Sequence, residues 1–272
     1  TLATGASIRN ELAPDRQGWE PTARAGLAYD AGIVTLRAAA YLGWRLPTLN
    51  ELYRPFRVGA DATAANPALA PERMKGAELG IDLTPAQGVS LRATAYTNKL
   101  TDAIGNVTLA QGPGTFPGVG FVAGAYRQRV NIDAVRSNGL ELDARIERGE
   151  WRLAASYAYS DARISGSGRA AALDGLRPAQ VPAHTASGTL GWRGLSTTLR
   201  YVSAQFEDDS NSRRLNDAVT LDAVAVVPVT GRMSVFVRGE NVTDARVETA
   251  ISATGVIERA APRTIWIGLR LN

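Results

Sequence analysis

The chain has 272 residues, 45% of them hydrophobic, which suffices for one large domain or two small ones. Thirty basic and 26 acidic residues are mixed along it for a net charge of +4, without the basic block that nucleic acid requires. It contains no cysteine, which excludes disulfides, zinc–thiolate sites, iron–sulfur clusters and cysteine nucleophiles, and no apolar run long enough for a transmembrane helix.

The dominant pattern has period two. Ala77, Leu79, Ile81 and Leu83 alternate with Gly76, Glu78, Gly80 and Asp82; Leu140, Leu142, Ala144 and Ile146 alternate with Glu141, Asp143, Arg145 and Glu147. That is a sheet with one apolar and one polar face. Strands are predicted near 20–29, 33–42, 75–84, 89–100, within 126–147, then 151–162, 182–193, 195–206, 217–229, 232–242 and 263–272, with 1–9 as a candidate twelfth. Short connections fall at Asp30–Gly32, Pro85–Gly88, Arg148–Glu150, Arg193–Gly194 and Thr230–Gly231. Long ones fall near Gly43–Met74, Ile104–Ala125, Ile164–Val181, Glu207–Asn216 and Asp244–Pro262. The strict alternation places all short turns at one end of an antiparallel meander and all long loops at the other.

A soluble β-sandwich also alternates. Here, however, the apolar face is rich in Ala, Val and Leu, while the other carries charge in strand after strand: Glu78, Asp82, Arg92, Glu141, Asp143, Arg145, Arg200, Arg238, Glu240 and Arg270. A polar lumen accepts those charges and lipid accepts the opposite face, so a transmembrane β-barrel is expected.

The segment "GWRLPTLNELYRPF" followed by "NPALAPERMKGAELGID" resembles the barrel of TonB-dependent outer-membrane receptors. The residues carrying the resemblance are Arg45, Pro47, Thr48, Glu51, Leu52, Tyr53, Asn66, Pro67, Leu69, Pro71, Glu72 and Glu78. "SNGLELDARI", "VPAHTASGTLGW", "GENVTDARVETA" and "APRTIWIGLRL" resemble further pieces of the same family, although Trp44 stands where Phe is more usual. The resemblance implies an all-β antiparallel meander forming part of a transmembrane barrel, about 11–12 of 22 strands. It implies short periplasmic turns, long extracellular loops, and a place in the bacterial outer membrane. The whole chain, 1–272, is read as the C-terminal part of a receptor barrel, without the family's plug domain. Gly268 and Leu271 match the closing-strand pattern, whose terminal aromatic would fall one residue past Asn272.

Residues 43–74 are then an extracellular loop with structure of its own, in which Thr48 caps the turn containing Glu51 in an approximate capping box. The loop either seals the barrel mouth or also touches ligand. Arg54, Arg57, Phe116, Phe121 and Arg127 are the candidate ligand-binding residues, because aromatic and guanidinium groups suit planar or anionic ligands. Tyr126 and Arg129 flank the same Gly/Pro-rich segment; girdle aromatics and ordinary loop charges are the alternative reading. His184, the single histidine, sits beside a proline-marked strand start with no nucleophile elbow, and is read as structural. Glu141, Asp143 and Glu147 share a strand face and are read as partners of Arg145 rather than as an acid–base set.

No catalytic residue, cofactor or metal ligand is expected. The implied function is energised uptake of a scarce nutrient: an iron–siderophore, cobalamin or similar. The implied partners are outer-membrane lipid, a metal-chelate ligand, the barrel-assembly machinery, and the TonB complex acting through the plug region. A passive porin and an outer-membrane barrel enzyme are the alternatives.

Overall fold

The computed structural model describes residues 15–252 and 254–271. Eleven long strands form one antiparallel meander: β1 (Ala23–Asp30), β2 (Val34–Arg45), β3 (Glu72–Ala86), β4 (Val89–Gln111), β5 (Ala125–Arg148), β6 (Trp151–Ser165), β7 (His184–Trp192), β8 (Leu195–Val202), β9 (Ala218–Thr230), β10 (Met233–Glu240) and β11 (Thr264–Leu271). Each pairs with its sequence neighbours, and among the described residues β1 and β11 have one neighbour each, so the sheet does not close. The candidate strand at 1–9 lies outside the described residues.

The connections alternate as expected. Residues 31–33, 87–88, 149–150, 193–194 and 231–232 make the short end, and 46–71, 112–124, 166–183, 203–217 and 241–263 the long end. Gly88 shows why a glycine is needed at the short end. Its φ is +77°, and a Cβ there would lie 2.3 Å from the carbonyl oxygen of Glu147.

Register determines which side chains share a face. Thr35, Asp82, Arg92, Asp143, Ser156, Ser187, Arg200 and Thr220 form one row across eight strands. Glu78, Glu141 and Arg145 lie at even offsets on the same strands, so the six charges expected together share the polar face. Ion pairs neutralise that face: Asp82 accepts from Arg37 and Arg92 at 2.9 Å each, Arg200 pairs with Asp222, and Arg238 with Glu240. Arg145 pairs with Glu147 at 2.8 Å, so of the three carboxylates read as its partners, the one nearest the short turn holds it.

The opposite face carries Leu79, Ile81, Leu91 and Leu142, and on β11 Ile265, Ile267, Leu269 and Leu271. Leu79 is 68% exposed and Ile267 76%, which for a sheet this long means a face turned toward lipid. Aromatic residues frame it at both ends. Near the short turns Trp151 and Trp192 stack with centroids 5.8 Å apart. Eight residues up the strand, Tyr157, Tyr159 and His184 cluster, with Tyr157 Oη 2.8 Å from His184 Nδ1. Eight residues are about 27 Å of strand, or about 20 Å of height at a tilt of about 40°, close to the apolar band of an outer-membrane barrel. His184 thus belongs to an interfacial girdle.

A sandwich would bury its core between two sheets. Here the buried apolar cluster is at the long-loop end: Ala103, Val107, Ile132, Ile164, Ala170 and Leu173. One expectation is corrected at the same place. Ile104–Ala125 reads as a loop, yet β4 continues to Gln111 and β5 begins at Ala125, paired with register through Gln111↔Ala125. The Gly/Pro-rich stretch shrinks to a tip, 112–124, holding a small hairpin, Gly114–Phe116 against Gly120–Val122.

Leu199 lies midway up the apolar face and Ser156 on the polar face beside Asp143. L199R should lower unfolding stability in lipid by roughly 2–4 kcal/mol, and S156R by less than half of that. The check is denaturant refolding into bilayers of matched thickness.

The long-loop end as candidate functional site

β4 and β5 rise above the other strands as a two-stranded ribbon, and loops pack on both of its sides. Along β5, Arg127, Arg129 and Asn131 alternate with Gln128, Val130 and Ile132, so the two sets project to opposite faces. The first set holds residues 46–71. Of the second, Val130 and Ile132 join the apolar cluster completed by Ala170 and Leu173 from the 166–183 connection, while Gln128 accepts from Arg169 of the same connection at 2.6 Å.

The loop 46–71 is organised residue by residue. Thr48 caps helix α1 (Leu49–Tyr53): its Oγ1 accepts from the Glu51 amide, and the Glu51 carboxylate accepts from the Thr48 amide at 2.7 Å, a complete capping box. Arg45, the last residue of β2, donates to Glu51 through Nη1 (2.9 Å) and Nη2 (3.1 Å), and to Glu72 through Nε at 2.5 Å. Glu72, nearly buried, also accepts from the Ile104 amide at 2.7 Å. One guanidinium therefore ties the helix to β2, β3 and β4. Arg129, 8% exposed, donates to the carbonyls of Asn50 and Arg54 and stacks its guanidinium 5.0 Å over the Phe56 ring. Asn66 donates to the Arg129 carbonyl at 2.9 Å; Asn131 accepts from the Ala70 amide and donates to the Ala70 and Asp102 carbonyls. Leu69 is fully buried. Asp61–Ala64 then adds a short parallel strand beside Ala62↔Tyr126 and Ala64↔Gln128.

The five candidate ligand residues fall around this scaffold in different states. Arg127 pairs with Asp61 at 2.9 Å, both side chains mostly buried. Phe116 stacks on Tyr126, centroids 4.6 Å apart and planes 6° from parallel. Arg57 donates to the carbonyls of Val119 and Phe121, joining loop 46–71 to the tip hairpin. Arg54 and Phe121 are exposed, Phe121 by 62%. Arg57, Phe116 and Phe121 are brought together at the tip, while Arg127 lies just below it near the top of the ribbon and Arg54 beside α1.

Sequence reasoning missed Asp61, Asn131, Asp208 and Asp209. Asp209 accepts from the Thr108 amide (2.6 Å) and hydroxyl (2.8 Å), pinning the 203–217 connection to β4. Asp208 is buried, which by itself would raise its pKa. Hydrogen bonds from the Ser210 and Ser212 hydroxyls and the Ser212 and Arg213 amides outweigh that and hold it below the ordinary value. A cavity of about 820 Å³ opens among these loops, lined by Asp61, Arg127, Ile132, Leu173, Asp208 and Arg213 among others.

The TonB-dependent receptor-like β-barrel family model matches residues 3–242. The chain belongs to the TonB-dependent receptors. A vitamin B12 transporter, BtuB, of Photobacterium profundum is 25% identical over 233 residues, which is 85% of this chain and 35% of that protein. The siderophore receptor PiuA of Acinetobacter baumannii superposes with a TM-score of 0.72 at 16% identity, over 92% of this chain and 35% of that one. The ferric yersiniabactin uptake receptor FyuA of Yersinia pestis gives 0.67 at 18% identity, over 92% and 37%. The chain thus spans little more than a third of the length of these relatives. They are transport receptors of the bacterial outer membrane, and the apolar face described above is the lipid-facing face of such a barrel. The long connections are accordingly its extracellular loops.

In this receptor the Glu51 carboxylate is lowered from its ordinary 4.5 to about 2, chiefly by the Arg45 hydrogen bonds and also by those from Thr48, against the opposing effect of burial. A depressed carboxylate stabilises above its unfolded pKa and loses that contribution as pH falls through the folded value. Protection of the Leu52 and Arg54 amides, whose helical bonds run to Thr48 and Asn50, should therefore weaken as pH drops from 4.5 toward about 2. In E51Q it should be weak at every pH. Hydrogen exchange corrected for intrinsic rates reads both.

Proposed function

We propose that this chain is the C-terminal part of a receptor barrel that takes up a scarce nutrient across the outer membrane, driven by the TonB complex acting through a plug domain. The edge strands β1 and β11 then find their partners in further strands of the same barrel, because an open edge in lipid leaves backbone groups unpaired. The observation that carries this reading is the family match over a sheet whose lipid face, polar face and one-sided structured loops suit a plugged transport barrel. The ligand class is a metal chelate or a cobalamin-like cofactor, by analogy with what the relatives' names state. The barrel performs no covalent chemistry in this reading. Assembly into the membrane uses the barrel-assembly machinery.

Arg54, Arg57, Phe116, Phe121 and Arg127 are proposed as the ligand-binding set, with a division of labour. Arg54 and Phe121 offer exposed groups for direct contact. Arg57, Phe116 and Arg127 fix the loop and hairpin that present them. The experiment is a binding titration of the complete receptor against iron–siderophore and cobalamin panels. One ligand should bind saturably, R54A and F121A should each weaken it roughly ten-fold, as interfacial anchors do, and should leave thermal unfolding unchanged. If every chelate binds equally to wild type and both variants, the loops only seal the mouth. A conductance that never saturates would restore the porin alternative.

A further inference from the structure

Above the apolar band the lipid-facing side changes character within four residues. Going up from the row Leu79, Ala95, Leu140 and Tyr159, the next row is Ala77, Thr97, Asn138 and Asp161, and the one after it is Lys75, Lys99, Arg136 and Arg163. The last four are exposed and directly opposed across four adjacent strands: Lys75↔Lys99, Lys99↔Arg136, Arg136↔Arg163. Like charges placed directly opposite each other destabilise a sheet. Most charges on the polar face, by contrast, sit beside an opposite sign. A nearby acid relieves only one end of the row. Among the described residues Arg73 takes Glu20 and Asp102, Arg163 takes Asp161, and Lys75, Lys99 and Arg136 are left without an acidic partner.

The position says what does compensate. Four residues beyond the Tyr159 and His184 girdle is about 13 Å of strand, or about 10 Å of height at barrel tilt. That is headgroup level on the extracellular side. At about 4.8 Å between strands, the row is about 14 Å long, enough for two phosphate groups side by side. We propose that Lys75, Lys99, Arg136 and Arg163 form a binding site for the phosphate groups of anionic lipid in the outer leaflet, so that the bilayer supplies the missing counter-charge. The proposal rests on the outer-membrane placement of the barrel and not on what the receptor transports.

The test uses the complete receptor in zwitterionic detergent, with a diphosphorylated glycolipid, its dephosphorylated form and inorganic phosphate as separate probes. Wild type should bind the phosphorylated lipid and melt at a higher temperature with it. K75Q/K99Q/R136Q should lose about a hundred-fold in affinity, each surface cation contributing roughly a factor of five. The sign should also reverse in detergent alone: with its repulsion removed, the triple variant should melt above wild type. R136K should bind like wild type, which separates loss of charge from misfolding. R92Q, on the polar face, should leave lipid affinity unchanged. Equal lipid retention by wild type and the triple variant would overturn the proposal, as would equal affinity for the dephosphorylated lipid. If inorganic phosphate raised the melting temperature as much as the lipid at equal concentration, the site would bind free anions and the lipid assignment would fall. Chelate binding, read on the same samples, should stay unchanged, so failure here and failure of the receptor reading are distinguishable.

Discussion

A backbone that enters hydrocarbon must satisfy every N–H and C=O within the protein, because no water is there to do it. In this chain the consequence is a ladder in strict sequence order, β1 to β11, with each strand donating to both neighbours wherever two are present. The ladder imposes the side-chain period of two, and the period sorts residues between lipid and lumen. It also decides where ordinary packing is possible. Apart from the aromatic clusters at its two borders, side chains on the lipid face point into lipid rather than onto each other, and those on the lumen face are largely polar, many of them paired. An apolar core of the usual kind forms only beyond the membrane, where β4 and β5 continue and loops can fold against both sides of them.

That ribbon explains the length of the crossing from β2 to β3. Residues 46–71 do not simply span two strands. They run across β4 and add a strand at the far edge of β5, at Ala62–Ala64. Holding them there takes groups that recognise backbone: Arg129 on the carbonyls of Asn50 and Arg54, Asn131 on both the amide and carbonyl of Ala70. A mostly buried pair such as Arg127–Asp61 adds little net stability because desolvation offsets its attraction, but losing one partner leaves a costly lone charge. Its role is to fix where the loop docks.

What the sequence made legible follows the range of each interaction. The capping box of Thr48 and Glu51 spans three residues and was readable, as were the short turns and the face of each strand. The Arg45 and Glu72 motif positions were visible only through resemblance; nothing local says that one guanidinium serves both Glu51 and Glu72. The upward extension of β4 was hidden because Gly105, Gly112 and Gly114 read as loop. The structure uses Gly105 for close packing instead, since a Cβ there would lie 2.5 Å from Ile132 Cδ1. Contacts such as Asp61–Arg127 or Asp209–Thr108 join residues far apart in the chain, with no periodic signal to mark them. The candidate set mixed two kinds of residue for the same reason: composition shows that arginine and phenylalanine are present, but not which ones the fold has already occupied.

The same separation bears on how one barrel design accommodates different cargo. A binding surface gains affinity when its contacts are held in place before the ligand arrives, since less ordering remains to be lost. Here Arg57 fastens the tip hairpin by two carbonyls, Phe116 locks onto Tyr126, and Arg129 fixes the chain on either side of Arg54. Arg54 and Phe121 are thereby presented from a rigid frame without belonging to it. If Arg54 and Phe121 contact ligand as proposed, substituting such exposed tips would change what is recognised while leaving the frame intact, whereas substituting Arg57, Arg127 or Arg129 would disturb the position of every contact at once. Fold alone therefore does not name the ligand. On the proposed division of labour, selectivity would reside in the few exposed side chains, and the many buried hydrogen bonds beneath them would make those few effective.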